Sequence, residues 1–229
     1  MSAKPFPSPD GGYPRSDSTE FSALVADLIA AFPQNKLCQK LDSGTLNIRD
    51  YHAFLNMIFH QTFEGPSTFA LAGANCDPRR HTVRDYLIEH AHEEKDHWQW
   101  VIEDLRATGF TGPDPRTRFP HPACQRYIAL NVYVAIRMPI ARLAIAAFLE
   151  GVGATHGKKY ATKLCSTLGL TASQAKFLFG HGDTDVGHME DIMRVLSEAS
   201  LTPYEWAWMG HAARTGANLY VEMYNGVIE

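Results

Sequence analysis

The 229-residue sequence predicts an all-α protein, a bundle of about seven helices. Apolar residues recur at helical spacing along most of the chain. Residue types that start and stop helices flank these segments. The alternation typical of strands, two-residue hairpin turns and a long internal repeat are all missing from the sequence. Of the residues, 45% are hydrophobic and 20% are charged, so the chain can form one substantial core. We expect an irregular segment at residues 1–17 and a single helical domain at residues 18–229.

The first half of the chain contains three predicted helices. Asp17, followed by Glu20, is expected to begin a helix that ends near Phe32. The next helix begins near Asn47 and is expected to be broken or kinked at Gly65-Pro66, because proline lacks a backbone N–H. A third helix is predicted over residues 81–109, with Gly109 as its stop.

The second half is expected to hold three more helical segments. A long, largely apolar segment leads to Glu150, and bends are expected at Pro139 and near residues 151–153. Thr171 and Gln174 have the spacing of a capping box and predict the start of the following helix. The last helix is predicted to begin at a second such pair with proline at its first position, the residues Thr202, Pro203 and Glu205.

Composition excludes several classes of function. A net charge of −4 and a pI near 6.2 do not provide the basic surface that nucleic acids require. The longest apolar stretch is interrupted by Arg137, Pro139 and Arg142, which indicates a buried helix and no membrane span. Residues 1–18 lack the apolar core of a secretory signal, and the four cysteines are widely separated. These features predict a cytoplasmic protein with reduced thiols.

The segment "HGDTDVGHME" at residues 181–190 carries a polar triad. On a helix, His181, Asp185 and His188 project within a sector of about 60°. Imidazole and carboxylate groups are ligands of non-haem iron, manganese and zinc. A solvated polar face is the alternative explanation, since charged residues at helical spacing usually face water.

A second segment repeats this spacing. His90, Glu94 and His97 have the same separations, and Glu94 with His97 forms an E-x-x-H pair of the kind that helix bundles use for metal sites. Glu150 is a further candidate from a mostly apolar helix. Burying Glu94, Glu150 and Asp185 together without cations would be unfavourable, since like charges oppose joint ionisation. The repeated pattern therefore favours a metal site over a solvated face.

Taken together, these motifs resemble the haem-oxygenase-like diiron oxidases and oxygenases. This superfamily of iron-containing redox enzymes shares its fold with haem oxygenase, thiaminase-II and pyrroloquinoline-quinone synthase. The resemblance extends over residues 45–195, and H-x-x-x-D-x-x-H in "FLFGHGDTDVGHMEDI" is its most specific part. "LIEHAHEEKDHWQW" and "AAFLEGVGA" supply the other motifs in the expected order.

The resemblance implies a haem-oxygenase-like bundle that binds two non-haem irons, with O2 as co-substrate. The implied ligands are Glu94, His97, Glu150, His181, Asp185 and His188, with Glu150 as the candidate for a bridging ligand, and the three carboxylates are the implied catalytic groups. Some members have a glutamate seven residues before the histidine of this motif, where this chain has His90. That residue is either a seventh ligand or a group that orients Glu94.

The resemblance also implies oxidation of a small organic substrate such as an amino acid, an amine or a fatty acid, with an external electron donor as a further partner. Arg142 is a candidate for a substrate carboxylate, and a structural salt bridge is the alternative. The competing functions are a metal-independent enzyme of the thiaminase-II and quinone-synthase type, and a non-enzymatic metal- or partner-binding protein. We also expect exposed apolar residues near Trp206, Trp208 and Met209 to permit a homodimer.

Overall fold

The computed structural model describes residues 17–228, and within them the protein is helical without strands. The predicted irregular segment therefore lies, apart from Asp17, outside the described residues. The α-helices are α1 (Ser18–Ala31), α2 (Lys36–Asp42), α3 (Ile48–Asn75), α4 (His81–Glu94), α5 (Trp98–Ala107), α6 (Pro122–Arg137), α7 (Arg142–Leu168), α8 (Lys176–Glu198) and α9 (Pro203–Asn225). Short 3-10 turns connect several of them.

Side-chain caps define the helix starts that the sequence predicted. The Asp17 carboxylate accepts hydrogen bonds from the first backbone N–H groups of α1. A full capping box formed by Asn47 and Asp50 begins α3, and Thr202 with Glu205 forms another at α9. Each cap satisfies backbone donors that have no partner within the helix, which contributes about 1 kcal/mol.

The segment over residues 81–109 differs from the prediction of one helix. It forms α4 and α5, separated by a turn at residues 95–97. His97 is the residue that precedes α5. The helical spacing predicted that His90, Glu94 and His97 lie on one face of a single helix. This prediction holds only for His90 and Glu94, and His97 reaches the same region from the turn.

The long segment that leads to Glu150 is also two helices. Arg137 ends α6, and a 3-10 turn at Pro139–Ala141 precedes α7. The helix α7 continues past residues 151–153 to Leu168, so Glu150 lies within it. The capping box of Thr171 and Gln174 encloses a 3-10 turn, and α8 begins after that turn at Lys176.

Helix α3 continues through Gly65 and Pro66, where a break or kink was expected. Proline removes one N–H from the helical ladder, so the carbonyl four residues earlier, at Thr62, loses its usual donor. Gly65, Pro66 and Thr62 all line the same cavity. The proline therefore leaves a polar backbone group beside the cavity without ending the helix.

Helix α7 is the central element of the bundle. It packs against α8 and α9 and also contacts α1. Every residue from Ile140 to Phe148 is buried, and each large apolar side chain among them contributes about 1.5–3 kcal/mol of burial free energy. A helix that is apolar on all faces must lie inside the bundle. Glu150 follows directly on this buried stretch, which places a carboxylate in the interior.

Small residues bring α7 and α8 close together. A β-carbon at Gly157 would lie 3.1 Å from the Gly182 Cα atom, and one at Gly182 would lie 3.0 Å from the backbone nitrogen of Lys158. One turn before Gly157, a β-carbon at Gly153 would overlap with the Asp185 carboxylate. The close approach of these two helices brings Glu150 beside the triad of α8.

The start of α8 is held by a side chain from another helix. Asp104 of α5 is fully buried, and its carboxylate accepts hydrogen bonds from the backbone N–H groups of Lys176 (2.8 Å) and Phe177 (2.9 Å). Tyr51 donates a third hydrogen bond to it at 3.2 Å. Asp104 thus replaces the side-chain cap that Ala175 cannot provide and fixes the position of α8.

The apolar residues expected to form a dimer surface are mostly in the core. Trp206 is 9% exposed and Met209 is fully buried, while Trp208 is half-buried. The expectation that they offer an exposed patch is wrong, because α9 turns this face towards α1 and α7.

The four cysteines carry free thiols. Within residues 17–228, no helix combines the length and apolarity needed to cross a bilayer.

Candidate metal centre

The predicted ligand residues meet in the interior of the bundle. Helix α4 supplies His90 and Glu94, the following turn supplies His97, and α7 supplies Glu150. Helix α8 supplies the triad of residues 181, 185 and 188. Six of these seven residues form two groups of three in which the potential ligand atoms lie within 4.8 Å of one another. The first group is Glu94, His97 and His181, and the second is His90, Glu150 and His188.

The first group is centred on one oxygen of Glu94. The Oε2 atom lies 2.7 Å from His97 Nδ1 and 3.8 Å from His181 Nε2. His181 donates from Nδ1 to the backbone carbonyl of Phe177 at 3.0 Å in the tautomer that this contact favours. That tautomer leaves the lone pair of Nε2 free and directed towards Glu94. A carbonyl behind the imidazole is a common arrangement for a metal ligand.

The second group is more deeply buried. His90 is 0% exposed and Glu150 is 4% exposed. The Glu150 oxygens lie 3.4 Å from His90 Nε2 and 3.3 Å from His188 Nδ1, and the His90 and His188 rings pack edge to face. The sequence left the role of His90 open, and the structure brings it into direct contact with Glu150.

Glu94 lies between the two groups. Its Oε2 atom faces His97 and His181, while its Oε1 atom lies 3.6 Å from His188 Nδ1 in the second group. A carboxylate that presents its two oxygens to two separate sets of ligands has the arrangement needed to bridge two cations. The resemblance had indicated Glu150 for a bridging position. In this geometry Glu94 is the carboxylate that contacts both groups.

Asp185 belongs to neither group of three. Its carboxyl group is 3% exposed and hydrogen-bonds to Glu150. Burial and the negative charges of Glu150 and Glu94 raise the pKa of Asp185 to about 10. In the metal-free site Asp185 therefore holds a proton against Glu150. A cation bound to Glu150 would displace that proton and free Asp185 as a ligand.

The other two carboxylates are stabilised in the ionised form. Burial opposes ionisation of Glu94, but the nearby imidazoles of His181 and His97 outweigh it and hold the pKa of Glu94 below its usual range. The same balance, with His188 and His90 as the nearby imidazoles, lowers the pKa of Glu150 to about 2. The pKa of His188 is raised, because contact with Glu150 outweighs the effect of burial.

Unpartnered atoms indicate that the residues fit a metal. The buried Nε2 of His90 and the buried Oε1 of Glu94 have no hydrogen-bond partner of acceptable geometry. Leaving such groups unsatisfied costs about 1–3 kcal/mol each. Both atoms point into the groups described above, and nitrogen and oxygen donors of this kind suit first-row metals such as iron.

Several neighbours of the site were not predicted from the sequence. Tyr86 lies one turn before His90, and its hydroxyl is 3.4 Å from His90 Nδ1 and 3.4 Å from the backbone carbonyl of His188. Glu93, an exposed residue of α4, lies 3.5 Å from His188 Nε2. Tyr86 precedes His90 by four residues, so both side chains lie on the same face of the helix and their contact could have been predicted from the sequence. The contact of Glu93 depends on how α8 packs against α4.

A cavity of about 110 Å³ adjoins the site, and the site residues Glu94, Glu150, His181 and Asp185 form part of its wall. Arg142, predicted as a substrate contact, also lines it. So does Cys38, which the sequence did not indicate, but burial raises the pKa of that thiol to about 11 and makes it a poor nucleophile. Further lining residues are Gln61, Pro66, Phe69, Leu149, Val152 and Tyr220.

Comparison with known families agrees with this geometry. Residues 52–223 match the protein family described as iron-containing redox enzymes. The chain belongs to this family. The match includes the six residues of the two groups and Asp185. Among curated protein sequences, none matches the chain.

Solved structures similar to this redox-enzyme family member share its fold. A domain of unknown function with a haem oxygenase-like fold from Shewanella denitrificans OS217 has a TM-score of 0.85 and 22% identity, with 92% of this chain and 91% of that chain covered. A TenA homologue from P. horikoshii OT3 has a TM-score of 0.74 and 12% identity, with 92% and 97% covered. Haem oxygenase-1 from the cyanobacterium Synechocystis sp. PCC6803, solved with haem, has a TM-score of 0.71 and 13% identity, with 92% and 91% covered. The predicted haem-oxygenase-like fold is confirmed.

Proposed function

We propose that this family member is a non-haem diiron oxidase or oxygenase that uses O2 to oxidise a small organic substrate. The observation that carries the proposal is the position of Glu94, whose two oxygens face two separate sets of histidine and carboxylate groups. A mononuclear site needs one such set. Two sets joined by one carboxylate support a pair of cations at short separation.

In this proposal each side chain has a defined role. Glu94, His97 and His181 would hold one iron, and His90, Glu150 and His188 would hold the other. Glu94 would offer one carboxylate oxygen to each set. Asp185 would release its proton on metal binding and complete the ligand set. The carbonyl of Phe177 and the hydroxyl of Tyr86 orient His181 and His90, respectively.

Two ferrous ions, when bound, supply electrons that activate O2 for the oxidation of an organic molecule. The protein residues provide the surroundings for that chemistry. The apolar walls of the cavity exclude water from the reacting groups. Asp185 and Glu150 line this cavity, where their carboxyl groups would face the substrate. An external electron donor would restore the reduced state after turnover.

Anaerobic titration with Fe(II), followed by exposure to O2, tests the proposal. We expect about two irons per chain and oxygen consumption that depends on them. Glu94→Gln should reduce the stoichiometry to one iron or fewer, because it changes the group shared by both sets. Glu89→Gln is the matched control, since Glu89 is an exposed residue of the same helix, and it should retain both irons.

The outcomes separate the competing functions. Failure of the native chain to bind iron would contradict the proposal and favour a metal-independent enzyme of the thiaminase-II type. Tight iron binding without reaction with O2 would favour a metal-binding protein that is not an enzyme. Two irons in Glu94→Gln with unchanged affinity would contradict the bridging role of Glu94.

A further inference from the structure

We propose that Arg142 anchors the carboxylate of the substrate, so that the protein acts on small carboxylic acids; this inference rests on the proposed function and specifies its substrate class. The guanidinium group lines the same cavity as Glu94, Glu150 and Asp185. Arg142 is 1% exposed. A buried arginine at the wall of a reaction cavity requires an explanation, because burial of an unpaired charge is costly.

The contacts of Arg142 leave part of its hydrogen-bonding capacity unused. Its Nε atom donates to the hydroxyl of Thr68 at 3.1 Å, and its guanidinium carbon lies 3.7 Å from the centroid of the Phe69 ring. Both contacts come from α3 and fix the plane of the guanidinium. The Nη1 atom is buried without a hydrogen-bond partner. The group is therefore held rigidly with a donor unused.

No carboxylate of residues 17–228 lies within 4.0 Å of Arg142. The salt bridge that the sequence allowed as an alternative is consequently not formed among the described residues. Burial lowers the pKa of Arg142 to about 10, so the side chain stays positively charged at neutral pH. A fixed, charged and unpaired guanidinium fits a planar carboxylate, which can accept two parallel hydrogen bonds.

The anchor is close to the candidate metal centre. One face of Phe69 contacts Arg142, and the His90 ring packs edge to face against Phe69 with a centroid separation of 4.3 Å. Arg142 and His90 thus contact the same aromatic ring. Glu150 lines the same cavity as Arg142, so a carboxylate held by Arg142 would keep its carbon chain within the cavity that the site residues line. This arrangement fits a small acid that is oxidised inside that cavity.

Charge balance supports an anionic substrate. Two ferrous ions would more than neutralise Glu94, Glu150 and Asp185, and Arg142 would add a further positive charge to the cavity. An excess of positive charge in a buried cavity favours an anion. A neutral molecule or an amine without a carboxylate would leave this excess uncompensated.

Binding of matched probes to the protein in anaerobic solution with Fe(II) tests the inference. Hexanoate and hexanamide have the same chain and differ in the charge of the terminal group. By calorimetry at neutral pH we expect hexanoate to bind about tenfold or more tightly than hexanamide, since a hydrogen bond to a charged group accounts for at least this factor. Arg142→Met should abolish the preference. Arg126→Met, which removes an exposed arginine paired with Glu222, should preserve it.

A second variant covers the case in which Arg142→Met does not fold. Arg142→Lys keeps the positive charge but lacks the planar pair of donors, and it should reduce the preference for hexanoate without removing it. The inference would be overturned if the native protein bound both probes equally. An Arg142 variant with the native preference would overturn it as well.

The result is independent of the iron experiment. A preference for hexanoate that depends on Arg142, in a protein that fails to bind iron, would retain the anchor and contradict the proposed function. Oxygen consumption that depends on iron, without any preference for hexanoate, would contradict the anchor alone.

Discussion

Gly153 of α7 lies directly against the carboxyl group of Asp185 of α8, with no space for a β-carbon between them. This contact permits Asp185 to approach Glu150 in the interior of the bundle. A glycine at this position is therefore part of the candidate metal centre, although it carries no ligand atom.

Gly153→Ala is expected to displace Asp185 and to lower the affinity of the second group for iron. Overpacking a tight interior site typically costs about 1–3 kcal/mol, so the melting temperature should also fall. Gly187→Ala is the control, because a β-carbon at Gly187 of α8 meets no atom within 4 Å. That variant should be stabilised slightly, since alanine favours a helix over glycine by about 1 kcal/mol. Native iron stoichiometry and stability in Gly153→Ala would contradict this role.

His90→Gln is expected to reduce iron binding from about two ions per chain to about one. His90 is buried against Glu150, and glutamine fills a similar volume without an imidazole nitrogen. The neighbouring His92→Gln is the control, because His92 is exposed on the opposite side of α4. Iron content measured after anaerobic titration and gel filtration distinguishes them. Two irons in both variants would show that His90 orients other ligands and does not bind iron itself.

Metal binding is expected to stabilise the fold. The metal-free centre confines three carboxyl groups in the interior, and a cation that binds only the folded state stabilises it by about 4 kcal/mol at a concentration one thousand times its dissociation constant. Thermal unfolding should shift to higher temperature on anaerobic addition of Fe(II) and return on addition of a chelator. An unchanged transition under saturating Fe(II) would argue against a site formed in the folded state.

Asp104 is expected to give a pH-dependent contribution to stability. Burial outweighs its hydrogen bonds from Phe177, Lys176 and Tyr51 and raises the pKa of Asp104 from 3.8 to about 6. A raised pKa in the folded state means that this contribution is fully present below about pH 4 and is lost as the pH rises through 6.

Urea unfolding of Asp104→Asn at pH 5 and pH 7 measures this effect. The variant loses one acceptor for the N–H groups that begin α8, so it should be less stable by about 1–3 kcal/mol. The deficit should be larger at pH 5 than at pH 7. Asp85→Asn, at an exposed position of α4, should have the same stability as the native protein at both values. A deficit that increases towards pH 7 would indicate that the hydrogen bonds dominate over burial.

Much of the helical pattern was predictable from local sequence. The caps at Asp17, Asn47 and Thr202 depend on residues within one turn of each helix start, and such local interactions are visible in the sequence. The interruption of the helix at residues 95–97 was not predicted, because the apolar spacing continues across the turn. For the same reason the division between α6 and α7 at Pro139 was interpreted as a bend.

The residues of the candidate centre were also predictable as a set, since the side chains that can bind first-row metals are few and their spacing on a helix is regular. That they bind iron remains a prediction for the experiments above. The division of these residues into two groups was not predictable. It depends on the distance between α4, α7 and α8, which sequence periodicity does not specify.

The sequence by itself determined the helical class, most helix starts and the side chains capable of binding metal, because each of these depends on neighbours within about two turns. Only the tertiary structure decided that Glu94 contacts both groups, that Asp185 lies against Glu150, and that Arg142 has no carboxylate partner among the described residues. These features arise from the packing of helices distant in the chain. The close approach of α7 and α8 at Gly153, Gly157 and Gly182 sets the separations between side chains, and those separations govern which charges are paired.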